Sequence, residues 1–265
     1  MNRFNEVTNL CSFSIFSRKM LSSRCLIQVR YLQKQKKTIF CSLPSFGSKP
    51  SKEFGFSHVV QIGDPVLREV AEEVPKDMIK SEEIKNVISS LRKVVDLYNG
   101  VGMAAPQIGV PLKIICVQYT NQQMIFHSQE YLASRGVEPI PQRILINPKM
   151  TVLDEKILTF RESYCSMHAF SALVPRYKSI QVRAYNENAE PISWTLKNWP
   201  ARILQHEIDH LDGKLFVDHM NVKSLSFDYW KHINKRGGDV TVSYRGINHY
   251  KDKIRRIFLP MMNYR

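Results

Sequence analysis

Residues 205–210 read Gln-His-Glu-Ile-Asp-His, and this stretch governs the interpretation of the whole chain. On an α-helix, positions four apart lie on the same face, so the imidazoles of His206 and His210 can reach a single metal ion. Glu207 then stands beside a metal-bound water and can take its proton, which is the arrangement found in metallohydrolases. The alternative is a pair of surface histidines that merely flank a helical glutamate.

The residues around this stretch predict a helix that is mostly buried. Asn198 is a candidate N-cap, Pro200 suits the first turn and Gly213 suits the C-terminal end. Apolar side chains surround the histidines at Ile203, Leu204, Ile208 and Leu211. A buried histidine pair is either metal-bound or hydrogen-bonded into the core, and the glutamate between the two favours metal. Because a catalytic metal usually has three protein ligands and a water, a third ligand must come from elsewhere in the chain.

The formal net charge of +14 is concentrated at the two ends of the chain. Residues 1–52 hold ten Lys or Arg and one acid, and residues 221–265 hold ten and three. Residues 53–220 hold eighteen Lys or Arg and twenty acids, so the expected catalytic domain is near neutral. A nucleic-acid-binding fold over the whole chain is therefore disfavoured.

The first 52 residues are expected to form a basic transit peptide and linker. Residues 7–52 contain no acid, and Ser, Arg and Lys are interleaved with apolar side chains, a composition typical of organellar targeting. The alternative is a basic tail without a targeting role. No apolar stretch has the length of a membrane span.

Three of the five cysteines lie in residues 1–52, which leaves Cys116 and Cys165 in the domain. Each of these two could be a metal ligand, a nucleophile or a core residue.

The elements predicted for residues 53–220 follow an α+β order. A helix over residues 81–98 begins with Ser81 as N-cap, has apolar residues at helical spacing and ends at Gly100. The glycine-rich stretch 100–109 is predicted as a loop that approaches a substrate closely, with a plain tight turn as the alternative. Residues 121–142 are expected to be a surface insertion. Short strands are predicted at residues 113–119, 143–146, 151–153, 156–160, 179–185 and 192–196.

Three separated stretches resemble the peptide deformylases. The matching stretches are residues 100–109, 162–166 and 206–210, supported by the runs at 64–68 and 174–176, so that the resemblance covers residues 58–220. It implies small mixed or antiparallel β-sheets around a buried His-Glu-x-x-His helix. It also implies that a divalent metal (iron, zinc or cobalt) is used to remove the formyl group from N-terminal formyl-methionine. A basic presequence fits a member of this family that works in the mitochondrial matrix.

The resemblance assigns roles to individual residues. His206 and His210 are implied as metal ligands, and Glu207 as the general base and acid. Gln107 is implied as a hydrogen-bond donor to the oxyanion that develops on the formyl carbonyl. The implied substrate-binding residues are Val101, Gly102, Cys165 and Arg176. Glu162 and Arg176 are expected to pair and brace the site, the alternative being an ordinary surface salt bridge.

The middle stretch departs from the family pattern Glu-Gly-Cys-x-Ser, in which the Cys is the third metal ligand. Residues 162–166 read Glu-Ser-Tyr-Cys-Ser, so the ligand position holds Tyr164 and Cys165 is displaced by one. In an extended segment neighbouring side chains point to opposite faces, so Cys165 would face away from the metal. Three possibilities stay open: a β-bulge near Ser163 that returns Cys165 as a ligand, ligation by the Tyr164 phenolate, or a two-histidine site that binds metal weakly or not at all. The N–H of Cys165 would help to hold the oxyanion.

We therefore expect three regions: the transit peptide and linker at 1–52, a deformylase-like catalytic domain at 53–220 and a basic C-terminal extension at 221–265. The expected substrates are nascent formyl-methionine polypeptides, and the extension is a candidate contact for the mitochondrial ribosome. The alternative is a deformylase-derived protein with weak or absent metal and activity that binds formyl peptides or ribosomes. A weaker option is a metallohydrolase that acts on another small amide.

Overall fold

The structure, a computed structural model, describes residues 55–125, 127–239 and 241–244. The predicted transit peptide lies outside these residues, which belong to one unit spanning Ser48–Arg265. Its helices are α1 (Glu82–Leu97), α2 (Asn121–Met124), α3 (Gln129–Arg135), α4 (Asn198–Leu211) and α5 (Trp230–Lys235). Its strands are β1 (Gly102–Ala104), β2 (Ile114–Tyr119), β3 (Ile140–Tyr164), β4 (Met167–Tyr185), β5 (Pro191–Lys197) and β6 (Ser226–Phe227).

The named strands form one antiparallel sheet in the order β1-β2-β3-β4-β5, with β6 paired to β4. The long strands β3 and β4 make a hairpin whose register runs from Ile146 opposite Tyr185 to Ser163 opposite Ser171. The strands predicted at residues 143–146, 151–153 and 156–160 are therefore parts of one continuous strand. Register shifts between residues 146 and 157 interrupt the regular alternation of side chains on which a sequence pattern depends.

The glycine-rich stretch 100–109 contains an edge strand, which the sequence did not predict. Gly102–Ala104 form β1, and Gly102 lies opposite Val117 of β2. A short 3-10 helix, Ala105–Ile108, follows and ends at Gly109, whose φ of 82° lies in the left-handed region that glycine adopts without strain. No other named strand of the described residues pairs with β1, so no strand covers its outer edge, although Gln107 accepts a hydrogen bond from the N–H of Ala104.

The helix predicted over residues 81–98 is confirmed as α1. The Ser81 hydroxyl accepts a hydrogen bond from the backbone N–H of Ile84, and two glutamates occupy the first turn, where they interact favourably with the helix dipole. The buried face of the helix carries Ile84, Val87, Ile88, Leu91, Val94 and Val95. This face packs against the start of the sheet and so supports β1 and β2 from behind.

Helix α4, which carries residues 205–210, packs into the main hydrophobic core. Its residues Ala201, Leu204 and Leu211 are almost fully buried with Ile115, Leu145 and Ile180 of the sheet. The predicted N-cap is wrong: Asn198 has φ 55° and no side chain caps the first turn, because β5 runs directly into the helix at Lys197. The predicted end is confirmed by Gly213, whose φ is 71°.

The two remaining regions lie at the periphery. Helices α2 and α3 make up half of the predicted insertion at residues 121–142, in which Ile125 is 77% exposed. Beyond residue 220 the chain still contacts the sheet, because Phe227 of β6 lies opposite Phe170 of β4. The antiparallel sheet wrapped on a buried helix confirms the predicted α+β class.

Within the described residues, every helix is too short or too polar to cross a bilayer.

Candidate active site

Helix α4 brings His206 and His210 together as the sequence predicts. Their ring centroids lie 5.5 Å apart. His210 is completely buried, and the His206 side chain is 14% exposed. Two imidazoles one helical turn apart can direct one nitrogen each at a shared ion. The arrangement therefore supplies two of the ligands that a metal centre needs.

The free nitrogens of both rings suit metal binding. Nδ1 of His206 lies 2.9 Å from Oε2 of Glu162, which fixes the ring and leaves Nε2 available. Both nitrogens of His210 are buried and have no hydrogen-bond partner among the described residues. Burial lowers the pKa of both histidines, that of His210 strongly, and so favours the neutral ring that a metal requires. A bound ion or a water molecule would satisfy these buried nitrogens.

Glu207 lies beside the pair and can exchange a proton. Its side chain is buried and its Oε2 has no partner among the described residues. Burial, followed by the nearby charge of Glu162, raises the pKa of Glu207 well above its usual range. Gly102 of β1 lies so close that a Cβ at this position would overlap the Glu207 carboxylate. The carboxyl is therefore held between helix α4 and the edge strand, in an environment where it can hold a proton.

Gln107 is held with its amide in a defined orientation. Its Oε1 accepts a hydrogen bond of 2.8 Å from the backbone N–H of Ala104, and its Nε2 donates to the Ser166 hydroxyl at 3.3 Å. The second hydrogen of Nε2 remains available for another acceptor. Val101, which precedes β1, accepts a bond from Gln118 through its carbonyl. Gln107 and the β1 edge thus lie in one continuous segment next to Glu207.

Tyr164, and not Cys165, lies against the histidine pair. Its ring centroid is 4.1 Å from that of His206, 4.6 Å from that of His210 and 4.7 Å from that of Phe216. The side chain is buried, and its hydroxyl has no hydrogen-bond partner among the described residues. The residue at the family's third ligand position therefore faces the site but presents an aromatic ring.

Of the three possibilities left open by the sequence, the return of Cys165 by a bulge near Ser163 does not occur in the structure. A register shift does follow Ser163, but Tyr164 pairs directly with Met167, so the extra residues 168–170 belong to β4. Ala169 among them has φ 68°. Glu162 and Tyr164 consequently keep the same face of β3, and Cys165 falls in the turn, where its carbonyl accepts a 3.0 Å bond from Gln61. Burial, followed by the charge of Glu207, raises the pKa of its thiol to about 12.

Glu162 is the centre of a buried ionic network rather than part of a surface salt bridge. Arg176 donates to both of its oxygens, at 3.1 and 3.0 Å, and Arg202 donates to Oε1. Arg176 also donates to Asp209. Burial by itself would raise the pKa of Glu162, but the bond to His206 and the charge of Arg176 outweigh it, and the pKa lies well below its usual range. The ionised carboxylate fixes the ring of His206.

Arg176, which the resemblance implies as a substrate-binding residue, therefore donates to the carboxylates of Glu162 and Asp209. The sequence did not predict two other members of this network, Arg202 and Asp209. Arg202 donates to the carbonyl of Val174 at 3.0 Å as well as to Glu162. It precedes His206 by four residues, so the helical spacing that identified the histidines also places Arg202 on their face. Asp209 lies within residues 205–210, but its partner Arg176 is 33 residues away in the sequence, so the local pattern did not identify the pair.

The donor set fits a divalent ion at two protein positions. Nε2 of His206 and the nitrogens of His210 are available for it, and Glu207 stands next to them. Among the residues that the structure describes, no group of three His, Cys, Asp or Glu side chains is arranged to hold a metal. The third protein ligand of the family pattern is therefore not present in this arrangement.

Known proteins with similar sequences are peptide deformylases. Residues 56–226 match the family model for polypeptide deformylase. The chain is 37% identical over 179 residues to the mitochondrial peptide deformylase of Homo sapiens, covering 68% of this chain and 74% of that protein. It is 38% identical over 174 residues to the chloroplastic peptide deformylase 1A of Solanum lycopersicum, covering 66% of this chain and 63% of that protein. The chain thus spans less than two thirds of the tomato relative.

Solved structures share the fold. The crystal structure of the peptide deformylase from Thermotoga maritima superposes with a TM-score of 0.53 at 27% identity, covering 63% of this chain and 99% of that one. The class I type b enzyme from Acinetobacter baumannii, at 24% identity, has a TM-score of 0.54 and covers 61% of this chain and 96% of that one.

Proposed function

This chain belongs to the peptide deformylase family, and we propose that it removes the formyl group from the N-terminal formyl-methionine of newly made mitochondrial polypeptides. The observation that carries the proposal is the convergence of Glu207, the His206–His210 pair and the β1 edge at one buried site. Deformylation is hydrolysis of a linear amide, and these groups offer a base, a place for a cation and a surface for a peptide.

Two histidines would hold the divalent metal that the family implies. His206 and His210 are the proposed ligands, with iron, zinc or cobalt as candidate ions. Bound there, such an ion would supply Lewis acidity and make a water more acidic. Glu162 supports this role, because its bond to Nδ1 of His206 keeps the opposite nitrogen of the ring free.

Glu207 is proposed to move the proton. Its carboxylate takes a proton from the water that attacks the formyl carbon and returns it to the amine that leaves. The raised pKa of Glu207 suits a group that must hold this proton between the two steps. Gln107 would donate its remaining Nε2 hydrogen to the developing oxyanion, and the backbone N–H of Cys165 would donate to the same oxygen.

The open edge of β1 is proposed to bind the substrate backbone. An extended peptide can add to a free strand edge through main-chain hydrogen bonds. Val101 and Gly102 would lie beside the first residues of the peptide, and the absence of a side chain at Gly102 makes room for the Glu207 carboxylate next to this strand. Arg176 acts indirectly in this proposal, by holding Glu162.

Formate release tests the proposed activity. The intact protein, loaded separately with iron, zinc and cobalt, is assayed with a formyl-methionyl tripeptide and with its acetylated counterpart. We expect formate from the formyl peptide and no turnover of the acetyl peptide. Glu207→Gln should lower kcat/KM by about 10²–10⁴-fold. Glu130→Gln, on the exposed surface of α3, is the matched control and should leave the rate unchanged. No formate with any of the three metals would overturn the proposal.

The two ends of the chain are proposed to determine where the enzyme works. Residues 1–52 would direct the protein to the mitochondrial matrix, residues 53–220 would form the catalytic domain and residues 221–265 would form a basic extension. The similarity to a mitochondrial relative supports the mitochondrial location. Fusion of residues 1–52 to a fluorescent protein should give mitochondrial fluorescence, and a diffuse signal would contradict it.

The basic extension is further proposed to contact the mitochondrial ribosome. Ten Lys or Arg against three acids in residues 221–265 favour binding to rRNA through charge, which salt would weaken. Salt-sensitive co-sedimentation of the intact chain, lost in a chain truncated after residue 220, is the expected result. A purely non-enzymatic ribosome-binding role is not favoured, because the relatives are named as deformylases.

A further inference from the structure

We propose that Tyr164 acts as a packing residue at the third coordination position, so that the metal is held by two protein ligands, His206 and His210. The inference rests on the proposed function, because it concerns the ion at that site. In the family pattern a cysteine thiolate stands at this position. In this chain the position holds a buried phenol that contacts both histidines.

The distances between the rings argue against ligation by the phenol oxygen. If a phenolate and an imidazole shared an ion through bonds of about 2.0–2.2 Å, their ring centres would stand about 6 Å apart. The observed separations are 4.1 Å from His206 and 4.6 Å from His210. Rings at these distances touch each other directly. The phenol therefore packs against the imidazoles with no room for an ion between them.

The Tyr164 ring belongs to a buried hydrophobic cluster, although the charged groups of its hydroxyl's surroundings include Glu162 and Arg176. The other buried members of the cluster are Val60, Leu67, Ala172, Val174, Leu215 and Phe216. The ring of Phe216 lies 4.7 Å away. An aromatic ring enclosed in this way cannot withdraw from the histidines without opening a cavity, which is costly in a packed core. The side chain is thus anchored as part of the core.

Cys165 does not substitute for the missing thiolate. It lies in the β3–β4 turn, where Gln61 holds its carbonyl, and Tyr164 pairs with Met167 across the turn. The Cys165 thiol does not complete a group of three metal-binding side chains with the histidines among the described residues. The two imidazoles remain as the protein ligands among the described residues.

Two ligands should bind a divalent ion less tightly than three. A thiolate adds both a donor and a negative charge, which favour zinc and other borderline metals. We therefore expect the metal of this enzyme to exchange readily, with the remaining positions open to water and substrate. Restoring the thiolate should increase affinity without any change in the histidines.

Metal affinity tests the inference directly. The dissociation constants of zinc and cobalt are measured by equilibrium dialysis of the intact chain, its Tyr164→Phe variant and its Tyr164→Cys variant. Phe keeps the ring and removes the oxygen, so we expect an unchanged constant. Cys should tighten binding by more than about tenfold, the smallest effect typical of a changed contact around a metal ligand. Tyr164→Ser creates a similar space without a thiolate and is the control, with no tightening expected.

Spectra distinguish the competing arrangements. Iron(III) bound by a phenolate absorbs visible light through charge transfer, and we expect no such band in the unaltered protein. A band that is lost in Tyr164→Phe, or a loss of metal in that variant, would overturn the inference. Equal affinity in Tyr164→Cys and the unaltered protein would also overturn it. These measurements need no substrate, so a failure of formate release would count against the proposed function alone.

Discussion

Gly102 lies directly against the carboxylate of Glu207, at the point where the edge strand meets helix α4. A methyl group at residue 102 would occupy the space of the carboxyl group, and only the flexible end of the glutamate could give way. We expect Gly102→Ala to lower kcat/KM on the order of a hundredfold, as displacement of a catalytic group by about 1 Å does.

The fold should survive that change, since no backbone atom is displaced. Gly100→Ala is the matched control, because its Cβ would meet Val95 and the carbonyl of Gly102 rather than Glu207. Formate release and urea unfolding of both variants separate the two effects. Full activity of Gly102→Ala would contradict the prediction, because it would show that the Glu207 carboxylate can move aside without loss of function.

Arg202 should be essential for stability although it touches no substrate. Its guanidinium is almost completely buried and donates to Glu162, Val174 and Leu158. Arg202→Met removes one of the two guanidinium groups that neutralise the buried Glu162 and the hydrogen bonds to the two carbonyls, so the free energy of unfolding should fall by about 3 kcal/mol. Arg183→Met, on the exposed surface of β4, should change it by less than about 0.5 kcal/mol. Urea titration of both variants measures the difference, and equal stability would contradict the importance of the network.

The Tyr164 hydroxyl should reduce the stability of the metal-free protein. It is buried without a hydrogen-bond partner among the described residues. Its removal in Tyr164→Phe should therefore raise the free energy of unfolding by about 1 kcal/mol. Tyr177→Phe is the control, because Tyr177 is 38% exposed. The comparison is made with a chelator present, so that metal binding does not contribute. A decrease in stability would reveal a partner for the hydroxyl.

Acid should destabilise the protein through Glu162. The pKa of this carboxyl is lower in the folded chain than in the unfolded chain, whose value is about 4.3. A lowered pKa contributes stability above the unfolded value, and this contribution is lost as the pH falls towards the folded value. Glu162→Gln should be less stable at neutral pH and should lose less stability below about pH 4. Urea unfolding of both proteins at pH 7, 4 and 3 tests this. If the free energy of unfolding falls with pH as steeply in Glu162→Gln as in the unaltered protein, other carboxyls cause the loss.

Much of the fold could be predicted from periodicity and helix-end signals. Helix α1 follows from Ser81 and the apolar spacing behind it, and helix α4 follows from the histidines and Gly213. These elements depend on residues that are close in sequence. The edge strand at Gly102 was missed, because three residues are too few for an alternation and their pairing depends on β2.

In the candidate site, too, local sequence predicts some features, and others depend on the pairing of distant segments. The positions of His206, His210 and Glu207 follow from helical spacing, and Gln107 followed from resemblance. The orientation of Tyr164 and Cys165 could not be derived, because it depends on which strand of the hairpin carries the extra residues. The sequence allowed a bulge near Ser163, and the structure has it on β4 around Ala169. Only the pairing of the two strands decides this.

The order of the site residues along the chain has a consequence for synthesis. The edge strand comes first, the turn of the hairpin follows about sixty residues later, and α4 comes last. Contacts between distant segments form only after the last segment is available, and they fold more slowly than local contacts. A ribosome making this protein therefore releases β1 and the hairpin before any histidine of the pair exists. If the pair holds a metal as proposed, the site for it does not exist until nearly the whole domain has been translated.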